Sequence, residues 1–143
     1  MKEINQIIEK DLSVFLQPYK QSFVQEKFDF KIGILDNKIE ITGYSINKYD
    51  PDNINPFVLL RLFILKDCRQ IHISNIFLPT FMRHRTIGMH ILYHLFTISK
   101  KENYELFIID MVDSFYHKMI KKGALPCDDC SDAVQIVDNT NLI

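Results

Sequence analysis

The chain of 143 residues is 47% hydrophobic and 24% charged, the balance of an ordinary globular protein, and suits a single domain, 1–143, with a real hydrophobic core. A formal net charge of −1 excludes a general electrostatic pull toward nucleic acid or membranes, so any anion site must be built locally. Three cysteines argue against a disulfide framework, and no run has the length of a membrane span or the apolar core of a signal peptide, so the expected location is the cytoplasm.

Ile4, Ile7, Ile8, Leu12, Phe15 and Leu16 recur at helical spacing and predict an amphipathic helix from Lys2 to about Gln17, ended by Pro18 and packed on its own sheet. Phe28–Leu35 and Lys38–Ile46 read as two strands joined at the tight-turn dipeptide Asp36-Asn37. Phe28, Phe30, Ile32 and Ile34 alternate with Asp29, Lys31 and Gly33, the pattern of a sheet with one buried face. The polar stretch Asn47–Pro56, with two prolines, reads as a loop. Phe57–Lys66 is an apolar strand that turns at Asp67-Cys68 into a further strand, Gln70–Leu78. A helix from about His84 to Lys101 follows, carried by Ile87, Ile91, Leu95 and Ile98. Tyr104–Val112 has the continuous apolar character of a central strand. Asp113-Ser114 then offers an N-cap for a short helix, Phe115–Lys122, closed by Gly123, and Ala133–Val137 forms a last strand at an edge. A strand–helix–strand unit within a hairpin-built sheet gives an α/β (α+β) fold, with a mixed, mostly antiparallel sheet flanked by helices.

The chemistry concentrates where the strand Gln70–Leu78 runs through Pro79 into the basic turn and helix Phe81-Met-Arg-His-Arg-Thr-Ile-Gly-Met-His90. The first N–H groups of a helix have no partner within it and lie at the positive end of its dipole, so this arrangement makes an anion site. Arg83 and Arg85 add full charges, and Gly88 permits close approach to the backbone. The segment Arg83-His84-Arg85-Thr86-Ile87-Gly88 resembles the acetyl-CoA signature of the GNAT superfamily of N-acetyltransferases, with Thr86 where that signature has its first glycine. The later Ser114-Phe-Tyr-His-Lys-Met-Ile-Lys-Lys-Gly123-Ala124 is similar to the family's next motif, with Met119 where many members carry a catalytic tyrosine.

The resemblance implies a GNAT-like acyl-CoA N-acyltransferase fold and transfer of acetyl from acetyl-CoA directly to an amine, a small molecule or a protein group, while both are bound. It implies that Arg83, His84, Arg85, Thr86, Ile87 and Gly88 hold the pyrophosphate, and that the pantetheine arm lies along Ile76, Phe77 and Leu78, where two parallel strands splay. A backbone N–H there would polarise the thioester carbonyl. Tyr116, one helical turn before Met119, is the candidate acid for the departing thiolate. His72 and Asp110 are the candidate bases, and each also reads as a residue with a local role. Homodimers are common in the family. The alternative is a catalytically silent relative acting as a regulatory or partner-binding module. His90 and His94 at i, i+4, and Cys127 with Cys130, have metal-ligand spacing but lack further ligands, so no metal is expected.

Overall fold

A computed structural model describes residues 3–21, 28–46, 54–77, 87–127 and 132–143. Its elements follow from the alternation just described. Strand β1 (Phe28–Leu35) pairs antiparallel with β2 (Lys38–Ile46) across a turn in which Asp36 takes φ 52°, a left-handed conformation that Asp tolerates. Strand β2 pairs with β3 (Ile54–Leu65), and β3 with β4 (Gln70–Ile76), both antiparallel. After helix α2 (Ile87–Lys101), strand β5 (Glu105–Ile108) lies parallel to β4, the one parallel pair among the described strands. Helix α3 (Asp113–Lys121) leads to the two-residue β6 (Leu125–Pro126) and to β7 (Val134–Ile136). The seven-stranded sheet has the order β1-β2-β3-β4-β5-β7-β6. The protein is thus α+β, with a mostly antiparallel sheet.

Helix α1 (Ile4–Leu16) buries Ile4, Ile8, Leu12 and Leu16, and Pro18 falls in the 3-10 turn Gln17–Tyr19 that ends it. Those side chains join Ile39, Ile41, Leu62, Ile64, Ile71 and Ile73 from one sheet face, and Ile87, Ile91, Leu92 and Leu95 from α2, in one core. The helices meet where His94 Nδ1 lies 2.9 Å from Asp11 Oδ2 and its ring 4.6 Å from that of Phe15. On the other face Arg61 Nε donates to Glu40 at 2.8 Å, and this bond holds the Glu40 carboxyl below its ordinary pKa.

Four boundaries differ from expectation. Strand β3 begins at Ile54, so Pro56 belongs to a strand rather than to a loop. Pro56 pairs with Tyr44, and counting from the two-residue turn, Tyr44 directs its backbone groups to β1; the missing donor therefore breaks no bond with β2. The predicted strand Tyr104–Val112 stops at Ile108, because Asp110 takes φ 55° and turns the chain away. Val112, in extended conformation, is the N-cap of α3, which places Asp113 in its first turn. Finally, β7 is not an edge: it lies between β5 and β6.

The short α3 ends as foreseen at Gly123. Its φ of 97° and the carbonyl oxygen of Asn139, 2.8 Å from where a Cβ would stand, both require glycine. Among the described residues no helix is long and apolar enough to cross a membrane.

Candidate functional site

Strand β4 is paired on both sides only over its first half. There Gln70, Ile71, His72 and Ile73 face Glu105, Leu106, Phe107 and Ile108 of β5. The start of this parallel pair is clamped by Arg69, whose guanidinium donates to the carbonyls of Glu102 and Asn103 and lies 4.7 Å from the Tyr104 ring centre. The last bond between the two strands is the Ile109 N–H to the Ile73 oxygen, at 2.9 Å. Beyond Asp110 the chain bonds elsewhere, with the Met111 N–H donating to Asp132 at 2.8 Å.

On β4 the divergence coincides with a bulge. Leu62 faces Ile73 and Arg61 faces Asn75, so Ser74 is the extra residue. The bulge is pinned by the Asn75 side-chain amide, which donates to the Val58 oxygen at 2.9 Å. Phe77 donates its N–H to the Leu59 oxygen at 2.8 Å, and alternation therefore turns the Ile76 N–H the other way, toward the side that β5 has left.

Between the separated strands lies a cleft of about 130 Å³. Ser74, Asn75 and Ile76 form its β4 wall, Ile108, Asp110 and Met111 the opposite one, and Phe115 of α3 also lines it. The Ser74 Oγ is buried and makes no hydrogen bond.

Of the residues singled out from sequence, Ile76 and Asp110 are on this cleft. Phe77 is 43% exposed and packs edge-on against Phe57, at 6.0 Å between ring centres. Ile87 opens α2 with its side chain fully buried in the core, and Gly88 is half-buried beside it. Leu78, Arg83, His84, Arg85 and Thr86 lie outside the described residues, as does Cys130. Tyr116 is half-buried, with its ring 5.4 Å from that of His117, and it is its neighbour Phe115 that reaches the cleft wall. Met119 is wholly buried.

His72 lies away from the cleft. Its Nε2 is 2.9 Å from Gln70 Oε1, its ring packs 5.4 Å from Phe107, and burial holds its pKa below the ordinary 6.5. It lines a wide depression with Asn37, Phe63 and Cys68 at the β3–β4 turn. Among the described residues no three His, Cys, Asp or Glu side chains stand together in a way that would hold a metal.

Sequence reasoning missed Ser74, yet its signal was present. Apolar residues at Ile71 and Ile73 set a period of two, and the next, Ile76, is one position out of phase. A single-residue phase slip within a strand is what a bulge produces. The site defined by these observations is a narrow opening in a mixed α+β sheet, at the point where its parallel pair separates. No protein-family profile matches the chain, and no curated protein matches it either.

Proposed function

We propose that the protein is a cytoplasmic acyl-CoA-dependent N-acyltransferase with a GNAT-like fold, taking acetyl from acetyl-CoA and passing it to an amine in a ternary complex. The observation that carries this reading is the end of β4–β5 pairing at Ile73 and Ile108, which opens a cleft beside a bulged strand. An extended acyl-pantetheine arm suits such a slot, because the polar backbone that β5 no longer engages is there to bind it. The Ile76 N–H, directed to that side, is the natural donor to the thioester carbonyl as negative charge develops on its oxygen.

In this reading the amine nitrogen attacks the thioester carbon. The C–N bond forms, the C–S bond breaks, and the thiolate leaves. Asp110, on the opposite wall, is the better placed of the two candidate bases to take the proton from the amine, since His72 lies elsewhere. Arg83, His84, Arg85, Thr86, Ile87 and Gly88 are assigned to the pyrophosphate by the sequence motif at the start of α2.

A second reading is a catalytically silent protein of the same fold that binds CoA, or no cofactor, and regulates a partner. It is favoured by buried Met119 and by Phe115, rather than Tyr116, on the cleft wall.

Thermal unfolding with and without acetyl-CoA tests the proposal. A ligand at about 100 times its Kd stabilises the native state by about 2.7 kcal/mol, a rise of several degrees for a domain of this size. That rise is expected for the wild type and should vanish in Arg83→Ala/Arg85→Ala. No rise at millimolar acetyl-CoA, from a protein that is otherwise folded, would refute the acyltransferase. Binding without transfer to any amine in a broad acceptor screen would favour the silent relative.

A further inference from the structure

We infer that Ser74 is a ligand-binding residue of the β4–β5 cleft, its hydroxyl donating to a carbonyl of the acyl-pantetheine arm; the inference rests on the acyl-CoA reading above. Three observations meet at this residue. It is the extra residue of the β4 bulge, at the point where the strand loses its partner. It lines the cleft. Its Oγ is shielded from water yet has no hydrogen-bond partner.

A buried hydroxyl without a partner costs about 1–3 kcal/mol, and native proteins leave few such groups unsatisfied. Among the described residues the only other buried side-chain atom in this condition is Asn5 Oδ1, whose amide nitrogen is nevertheless used in a 3.3 Å bond to the Asp36 carbonyl. Ser74 has no such second contact to account for its place. An alanine would fill the same position without leaving a hydroxyl stranded.

The residue as a whole is only half-buried and borders the cleft, while its Oγ is shielded from water. A serine has three staggered positions about χ1. No hydrogen bond holds the one it occupies, so a rotation that meets an arriving ligand breaks none. A carbonyl arriving in the cleft therefore gains a donor and relieves the stranded hydroxyl in the same movement. Neither the bulk nor the charge of the resting site changes. The pairing of a side-chain hydroxyl with the Ile76 N–H supplies two donors on one wall, suited to an amide or thioester carbonyl rather than to a cation or an apolar chain.

The test compares wild type and Ser74→Ala by calorimetric titration with two probes, acetyl-CoA and adenosine 3′,5′-bisphosphate, which lacks the pantetheine arm. Unliganded melting temperatures are recorded alongside. The expected result is a three- to tenfold weaker affinity for acetyl-CoA in Ser74→Ala, about the loss of one neutral hydrogen bond. Bisphosphate affinity should be unchanged, and the unliganded variant should melt no lower than the wild type. Equal acetyl-CoA affinity in the two proteins would overturn the role of Ser74 while leaving the acyl-CoA reading intact. A parallel loss for both probes would also overturn it, since the effect would then not lie in the arm. If the wild type binds neither probe, the acyl-CoA reading falls first, and the assignment of Ser74 falls with it.

Discussion

The two halves of β4 are built from similar residues and do opposite things. From Gln70 to Ile73 the strand is paired on both sides, and Ile71 and Ile73 are completely buried. From Ser74 to Ile76 it pairs with β3 alone, through Asn75 and Ile76, carries two polar residues, and borders a cleft. What separates them is one inserted residue on β4 and one left-handed residue, Asp110, after β5. A sheet thus gains an opening without losing a strand. The closed half fixes the register, and the open half is left with backbone and side-chain groups that the fold does not use.

The largest expected effect comes from truncating each half in turn. Ile73→Ala removes a fully buried side chain from the closed half and should cost about 2–5 kcal/mol. Ile76→Ala, on the open half, should cost clearly less, because the cleft already leaves one side of Ile76 without neighbours. Urea unfolding of the two variants measures both. Equal losses would mean that the second half is as firmly packed as the first, and the distinction between them would collapse.

The turn at Asp110 gives a smaller effect. Its φ of 55° suits glycine and penalises alanine, so Asp110→Gly should be more stable than Asp110→Ala by about 1–2 kcal/mol. Asp110→Asn keeps a residue that tolerates this conformation and removes only the charge. If Asp110 is the base, Asp110→Asn should lower turnover by about 10²–10⁴-fold with unchanged stability. A variant with full activity would leave Asp110 a purely conformational role.

The smallest effect is a pH dependence at the closed half. Burial lowers the His72 pKa from 6.5, so the unfolded chain takes up its proton more readily than the folded one. His72 therefore contributes stability above about pH 6.5, and this is lost as the pH falls through the folded value. His72→Gln should flatten the stability profile on the acid side of neutrality. It should leave acetyl-CoA binding untouched, because His72 does not line the cleft. Weaker acetyl-CoA binding in His72→Gln would join the two halves into one site and contradict their separation.

Much of the fold was legible because alternation and helical spacing are local. The β1–β2 hairpin, the core face of α1, the apolar stripe of α2 and the stop at Gly123 were all read from neighbouring residues, and all stand in the structure. The errors fell where a partner strand decides. Pro56 looked like a loop residue because its tolerance depends on which way Tyr44 faces, and that is set by β1. Ile109 to Val112 looked like strand because they are mostly apolar, yet a strand persists only while a neighbour accepts its hydrogen bonds.

By itself, then, the sequence determined most of the segments that form strands and helices and the faces that α1 and α2 bury, since each of these depends on residues adjacent in the chain. Only the tertiary structure decided where the cleft opens. That position depends on three segments far apart in sequence: the bulge at Ser74, the turn at Asp110, and residues 132–134, which draw the chain after β5 away from β4. Hydrogen bonds between strands are settled by geometry across the sheet. No local pattern specifies where they stop.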